Sequence, residues 1–320
     1  MAFGAALVAA SATASAQQRG NPLPLNYIDR PLTLPGGVLE PQIEVDAVHN
    51  PAANTAASFY SYNMNVGAAV GLTRNFELQS TFLPMQLGPN TQYGDPNVQA
   101  TLLLARGKFD LGARFNVTMH TVPLTTFSNV NGQYVKSDGI KVESTTLSPG
   151  FPLVLRFHHR ARVDTGLFAD ITLGQSVQTT DTAGGTAKTD GAIWGLRLPV
   201  DLSVALAKNA YIGAGSGFKI DDLNQSSSSF SMPFKLFAGW SWGTRKHPYL
   251  DLEPYVSWDH LITPGQTTTA ANTATAPSAG RTVAADQVQP TTATTSGPQS
   301  TFHWDAWQMG LQVRGYLHFM

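Results

Sequence analysis

The chain has 320 residues, a net charge of −1 and no cysteine. Charged residues make up only 13% of it and hydrophobic ones 42%, where soluble domains carry about 25% charged residues. Near-neutrality gives no electrostatic case for a nucleic-acid partner. The lack of cysteine excludes disulfides, thiolate metal sites and a cysteine nucleophile.

The chain opens with an apolar run, MAFGAALVAASATASAQQ, that ends in Ala14-Ser15-Ala16. Small residues in that spacing predict a signal peptide over 1–16, one without its positively charged start, and a mature chain from near Gln17. Residues 17–37 follow, with NPLPLNYIDRPLTLPGG at 21–37. Their four prolines forbid regular strand pairing. The segment either folds into a lumen as a plug or hangs in the periplasm, the usual behaviour of a terminal stretch.

From residue 38 the rhythm changes. In VLEPQIEVDA (38–47), Leu39, Ile43, Val45 and Ala47 alternate with Glu40, Gln42, Glu44 and Asp46. The next segment, FYSYNMNVGAAVGL (59–72), sets Tyr60, Tyr62, Met64, Val66 and Val70 against Asn63, Asn65, Gly67 and Gly71. The same period of 2 returns near 76–87, 96–105, 109–122, 143–157, 161–173, 190–206, 210–221, 229–242, 249–261 and 303–319. This is the strand period, not the helical 3.6, and no run of ~18 apolar residues offers a membrane helix.

The connections alternate too. TRN (73–75), RGK (106–108), HHR (158–160), AKN (207–209) and GTRKHP (243–248) are short, whereas 88–95, 123–142, 174–189, 222–228 and 262–302 are longer and polar. The last is a Thr/Ala-rich stretch of low complexity, expected to be mobile. Aromatics such as Phe76, Phe109, Phe157, Trp194, Trp240, Trp242, Trp258, Trp304, Trp307 and Phe319 gather near strand ends. An even number of long alternating strands, with short turns at one end, long loops at the other and aromatic girdles, predicts a closed antiparallel transmembrane β-barrel of about twelve strands. Lipid offers no partner to a free strand edge, so the sheet must close.

The final WQMGLQVRGYLHFM resembles the C-terminal strand of bacterial outer-membrane proteins, with the aromatic Phe319 penultimate rather than last. RPLTLPGG (30–37), GLTRNFEL (71–78) and Gly94-Asp95-Pro96 resemble turns of the twelve-stranded, transporter-like outer-membrane barrels, including the meta-pathway phenol-degradation-like and porin-like group. The resemblance implies residence in the outer membrane of a Gram-negative bacterium. It also implies insertion by the barrel-assembly machinery through that last strand.

If lipid takes the apolar face, the charged face lines the interior. The expected lumen-lining residues are Glu44, Asp110, Arg114, Arg156, Arg197, Asp201, Lys235, Asp251, Glu253 and Arg314. Such charges either pair off to fill the barrel or line a polar path. Prolines within strands, Pro41, Pro149, Pro152, Pro199, Pro233 and Pro254, each remove a ladder hydrogen bond, and the transporters this chain resembles use strand kinks as side exits. The expected function is passive transport of small molecules, a polar solute or a hydrophobic compound of unknown identity. The alternative is a non-conducting barrel for structure, adhesion or partner binding. No catalytic constellation, cofactor motif or metal-spaced histidine set is present in the sequence, so neither enzyme activity nor a cofactor is expected.

Overall fold

The computed structural model describes residues 23–51, 58–87, 92–130, 133–157, 159–174, 176–180, 186–190, 192–225, 229–244, 247–263 and 301–319. The expected signal peptide, most of the Thr/Ala-rich stretch and the terminal Met320 lie outside these residues.

Twelve strands make the wall: β1 (Val38–Pro51), β2 (Ser58–Gly71), β3 (Phe76–Leu87), β4 (Asn97–Ala105), β5 (Phe109–Val130), β6 (Gln133–Phe157), β7 (Ala161–Leu173), β8 (Ile193–Ala207), β9 (Ala210–Ile220), β10 (Phe230–Thr244), β11 (His247–Thr263) and β12 (Trp307–Gly315). Each pairs antiparallel with the next, and β12 returns to β1 with Ile43 opposite Val313 and Val45 opposite Leu311. The ring is therefore closed. Short pieces at 92–93, 301–302 and 317–318 extend its rim, and 176–180 pairs with 186–190 as a separate hairpin.

The expected loop 123–142 is instead strand over 123–130 and 133–142. β5 and β6 stay paired out to Val130 opposite Gln133, and Asn131-Gly132 between them is the dipeptide favoured in tight hairpins. Thr121, Val122, Thr125, Thr126, Val130 and Val135 suit extended backbone although the segment lacks a clean apolar face. Its sequence does not alternate apolar with polar residues, so the period that predicts the other strands is missing here.

The faces are inverted relative to a soluble protein. Tyr60 is 56% exposed, Phe151 59% and Leu202 45%, all on the outer wall. Thr101, Asp110, Ser203, Ser241, Asp251 and Glu253 are buried inside. Among the described residues no helix is long and apolar enough to cross a membrane; the crossing is made by strands.

Proline placement has a visible effect on the wall. On three successive seams the ladder skips two pairs without changing register: between Leu111/Leu153 and Arg114/Gly150, between Leu147/Ile171 and Gly150/Phe168, and between Arg197/Phe168 and Val200/Thr165. Pro149, Pro152 and Pro199 sit in or beside these gaps, where no amide hydrogen is available for the ladder. The Thr165 hydroxyl donates to the Pro199 carbonyl at 2.8 Å, and the Ser216 hydroxyl to that of Pro233 at 3.1 Å. Side chains thus take over bonds that the backbone has lost.

Candidate functional site: the barrel interior

Residues 23–37 run inside the short-turn end of the ring. A single 3₁₀ turn, Tyr27–Asp29, is capped by Asn26, whose Oδ1 accepts from the Ile28 amide. Leu23, Ile28, Thr33 and Leu34 are buried, and Leu23 and Leu34 cluster with Val38, Ala69 and Tyr316. The segment leaves through Gly37, whose φ of 79° lies in the left-handed region open to glycine. The Gly37 amide then donates to the Gly71 carbonyl at 2.8 Å.

A proline-rich chain of this kind has few ladder options, and its remaining backbone groups must be satisfied individually. Inward charges of the wall do this. The Leu32 amide donates to Asp110 at 3.0 Å and the Leu34 amide to Glu77 at 2.7 Å. In the other direction, the Arg30 carbonyl accepts from Arg156 at 2.7 Å and from Arg162 at 2.9 Å. Arg162 also reaches the Tyr27 carbonyl at 3.1 Å. Tyr27 stacks on Tyr211, ring centroids 4.3 Å apart, and the Arg162 guanidinium carbon lies 4.8 Å from the Tyr27 centroid.

Arg30 is the anchor. It is buried, bonds both carboxylate oxygens of Asp251, and donates to the Tyr316 hydroxyl at 2.8 Å and Ser241 at 3.1 Å. Tyr316 in turn donates to Asp251 at 2.6 Å. A buried guanidinium and carboxylate are tolerable only when their remaining donors and acceptors are matched this fully.

The ten sequence-predicted interior residues divide into distinct groups. Asp110, Arg156 and Asp251 hold the N-terminal segment. Glu253 receives Arg314 at 2.9 Å, Lys235 at 3.2 Å and the Tyr211 hydroxyl at 2.8 Å. Glu44 accepts from Tyr255 at 2.6 Å. Arg197 pairs with Asp170 at 2.7 Å. Arg114 and Asp201 differ: among the described residues, neither forms an ion pair within 4 Å, and the one hydrogen bond of Arg114 is from Nε to Thr101 at 3.3 Å.

Arg114, Arg197 and Asp201 line an internal cavity of about 350 Å³ together with Tyr27, Gln99, Asn116, Ser148, Asp164 and Phe168. Towards the long-loop end lies a polar vestibule of about 730 Å³, which shares Asn116, Ser148 and Arg197 with that cavity. His120 stands on the vestibule wall, bonded to Asp95 and Thr146 at 2.8 Å each. On the side of the three interrupted seams is a third space of about 500 Å³, lined by Phe76, Leu102, Phe115, Pro149, Phe151 and Leu167, with Arg114 as its charged member.

Among the interior residues that sequence reasoning missed, three stand out. Arg30 precedes the first strand and has no alternation to place it. Tyr316 lies just past β12. Phe168 is buried between Arg114 and Arg197, whose guanidinium carbons lie 5.8 and 5.2 Å from its ring centroid. Its signal was present, since it shares parity with Arg162, Asp164 and Asp170 on β7.

An apolar exterior around a closed, polar-filled ring decides the class. The chain is a membrane-spanning β-barrel. Its architecture and inverted faces are those of outer-membrane proteins. No protein-family model matches the sequence, and no curated protein does. Among solved structures the chain is similar to the translocator domain of the autotransporter NalP from Neisseria meningitidis, at 12% identity and a TM-score of 0.48, covering 99% of this chain and 95% of that one. It is similar to the COG4313 outer membrane channel from Pseudomonas putida F1 at 12% identity and 0.47, covering 89% and 97%. It is also similar to a mutant of the TodX monoaromatic hydrocarbon channel at 10% identity and 0.44, covering 90% and 92%. The ring of strand pairs and the apolar wall, rather than these likenesses, establish the fold.

Proposed function

We propose that the barrel is a passive conduit for small molecules that enters at the vestibule and leaves through the wall. The observation that carries this reading is continuity. The vestibule and internal cavity share lining residues, and the cavity and wall space share Arg114, while residues 23–37 fill the short-turn end. A solute reaching Arg114 from the vestibule meets the N-terminal segment ahead of it and the proline-interrupted seams beside it.

Cells carrying the protein are expected to accumulate a radiolabelled small aromatic compound faster than cells without it. Replacing Pro152, Pro199 and Pro233 together by alanine restores ladder donors and is expected to reduce that difference several-fold. Equal accumulation with and without the protein would sink the conduit.

The extensive pairing of interior charges supports a second reading, a non-conducting barrel that serves structure or partner binding through its loops. That reading predicts no uptake and no ionic conductance in planar bilayers, even when the N-terminal segment is loosened.

A further inference from the structure

Five arginines inside the barrel, Arg30, Arg156, Arg162, Arg197 and Arg314, each hold a carboxylate of this chain. Arg114 is the exception among the described residues. Its Nε meets Thr101, its guanidinium faces the Phe168 ring, and its two terminal nitrogens have no hydrogen-bond partner among the described residues. The acids whose fields reach it are engaged elsewhere: Glu77 accepts from the Leu34 amide, and Asp164 accepts from Nε and one terminal nitrogen of Arg162. An arginine fork with free parallel donors is the geometry that receives a carboxylate in two bonds.

The position of this fork adds a second constraint. Arg114 is common to the polar internal cavity and to the apolar wall space lined by Phe115, Phe151 and Leu167. Another apolar groove on the outer wall, of about 790 Å³, has Asp46 and Asn63 as polar members, and these bond each other at 2.7 Å. The polar members of that groove satisfy each other; the space at Arg114 instead has as its charged member an arginine with no ion-pair partner among the described residues. We infer that Arg114 and the wall space form a binding site for an amphiphilic monoanion, a small carboxylate with a compact hydrophobic or aromatic body. The carboxylate takes the Arg114 fork, and the body lies among Phe115, Phe151 and Leu167. This deepens the conduit reading by naming its substrate class, and the site would lie where a solute turns from lumen to wall.

The test is equilibrium binding to purified protein in lipid nanodiscs, with 4-tert-butylbenzoate and the uncharged 4-tert-butylbenzyl alcohol as matched probes. Wild type is expected to bind the acid at least about tenfold more tightly than the alcohol, the scale of one charge-assisted contact. Arg114→Gln should abolish that preference and leave alcohol binding unchanged, and Arg114→Lys should restore part of it. Ala169→Phe, which fills the wall space while leaving the guanidinium in place, should weaken both probes. Heat-modified gel mobility verifies that each variant is folded. Equal affinity for the two probes in wild type, or an acid preference that survives in Arg114→Gln, would overturn the site. Binding is measured without transport, so its failure leaves the uptake result standing, and a failed uptake experiment leaves the binding result standing.

Discussion

At the scale of single residues, Arg30 concentrates the most consequence. Replacing it by alanine strands Asp251, which is 1% exposed, without its cation. Breaking a buried pair from one side costs ~3–5 kcal/mol, so Arg30→Ala should lower thermal stability, expose residues 23–37 to added protease and raise conductance in planar bilayers. Gly71 acts by close approach: a Cβ there would lie 2.1 Å from the Pro35 carbonyl oxygen. Gly71→Val should therefore unseat the N-terminal segment without removing any charge, and the same protease assay reads it. His159, in the turn after β6, bonds Asp29 at 2.9 Å, and that hydrogen bond raises its pKa above the ordinary value. Since the docked form binds the proton more tightly, this contribution to docking is complete below histidine's usual ~6.5 and is lost as pH rises through the higher docked value. Protection of 23–37 should fall across that window in wild type and become flat there in His159→Ala.

At the scale of elements, alternation told faces correctly wherever one face met lipid. In β2, Tyr60 and Tyr62 point outward while Asn63 bonds the inward Asp46. The alternation lost its meaning in three places, each for a physical reason. The outer part of β5 and β6 does not alternate apolar with polar residues in its sequence. Phe168 is an aromatic on the polar side, where it offers its ring to two guanidiniums rather than to lipid. The bonds from the Leu32 and Leu34 amides to wall carboxylates involve backbone donors, which leave no trace in residue identity. The lipid-facing side of a strand makes its own prediction: Leu202→Arg, near the middle of β8, should cost ~2–4 kcal/mol if it lies at the bilayer midplane. Urea unfolding in vesicles measures this, and Ser203→Arg on the opposite face should fail differently, through steric crowding of a residue only 1% exposed.

At the scale of the whole molecule, the interior charges have a purpose that composition could not reveal. Read along the sequence they are candidates for pore walls; in three dimensions many of them serve the backbone of residues 23–37, and others form the closed Glu253–Lys235–Arg314 set. What is left over is small and local: Arg114, Asp201 and the polar vestibule. Ionic conductance through the wild-type barrel should accordingly be low and should rise in Arg30→Ala, with uptake through the wall less affected.

The pairing of β1 with β12 carries a consequence in time. Ile43 meets Val313 across nearly the full length of the chain, so the ring cannot shut until the last strand has been synthesised. Until then the nascent chain carries two open edges, each a template for misassociation. A chain stopped before Trp307 would retain eleven strands and both edges, and should be recovered as aggregate or degraded rather than as a smaller barrel.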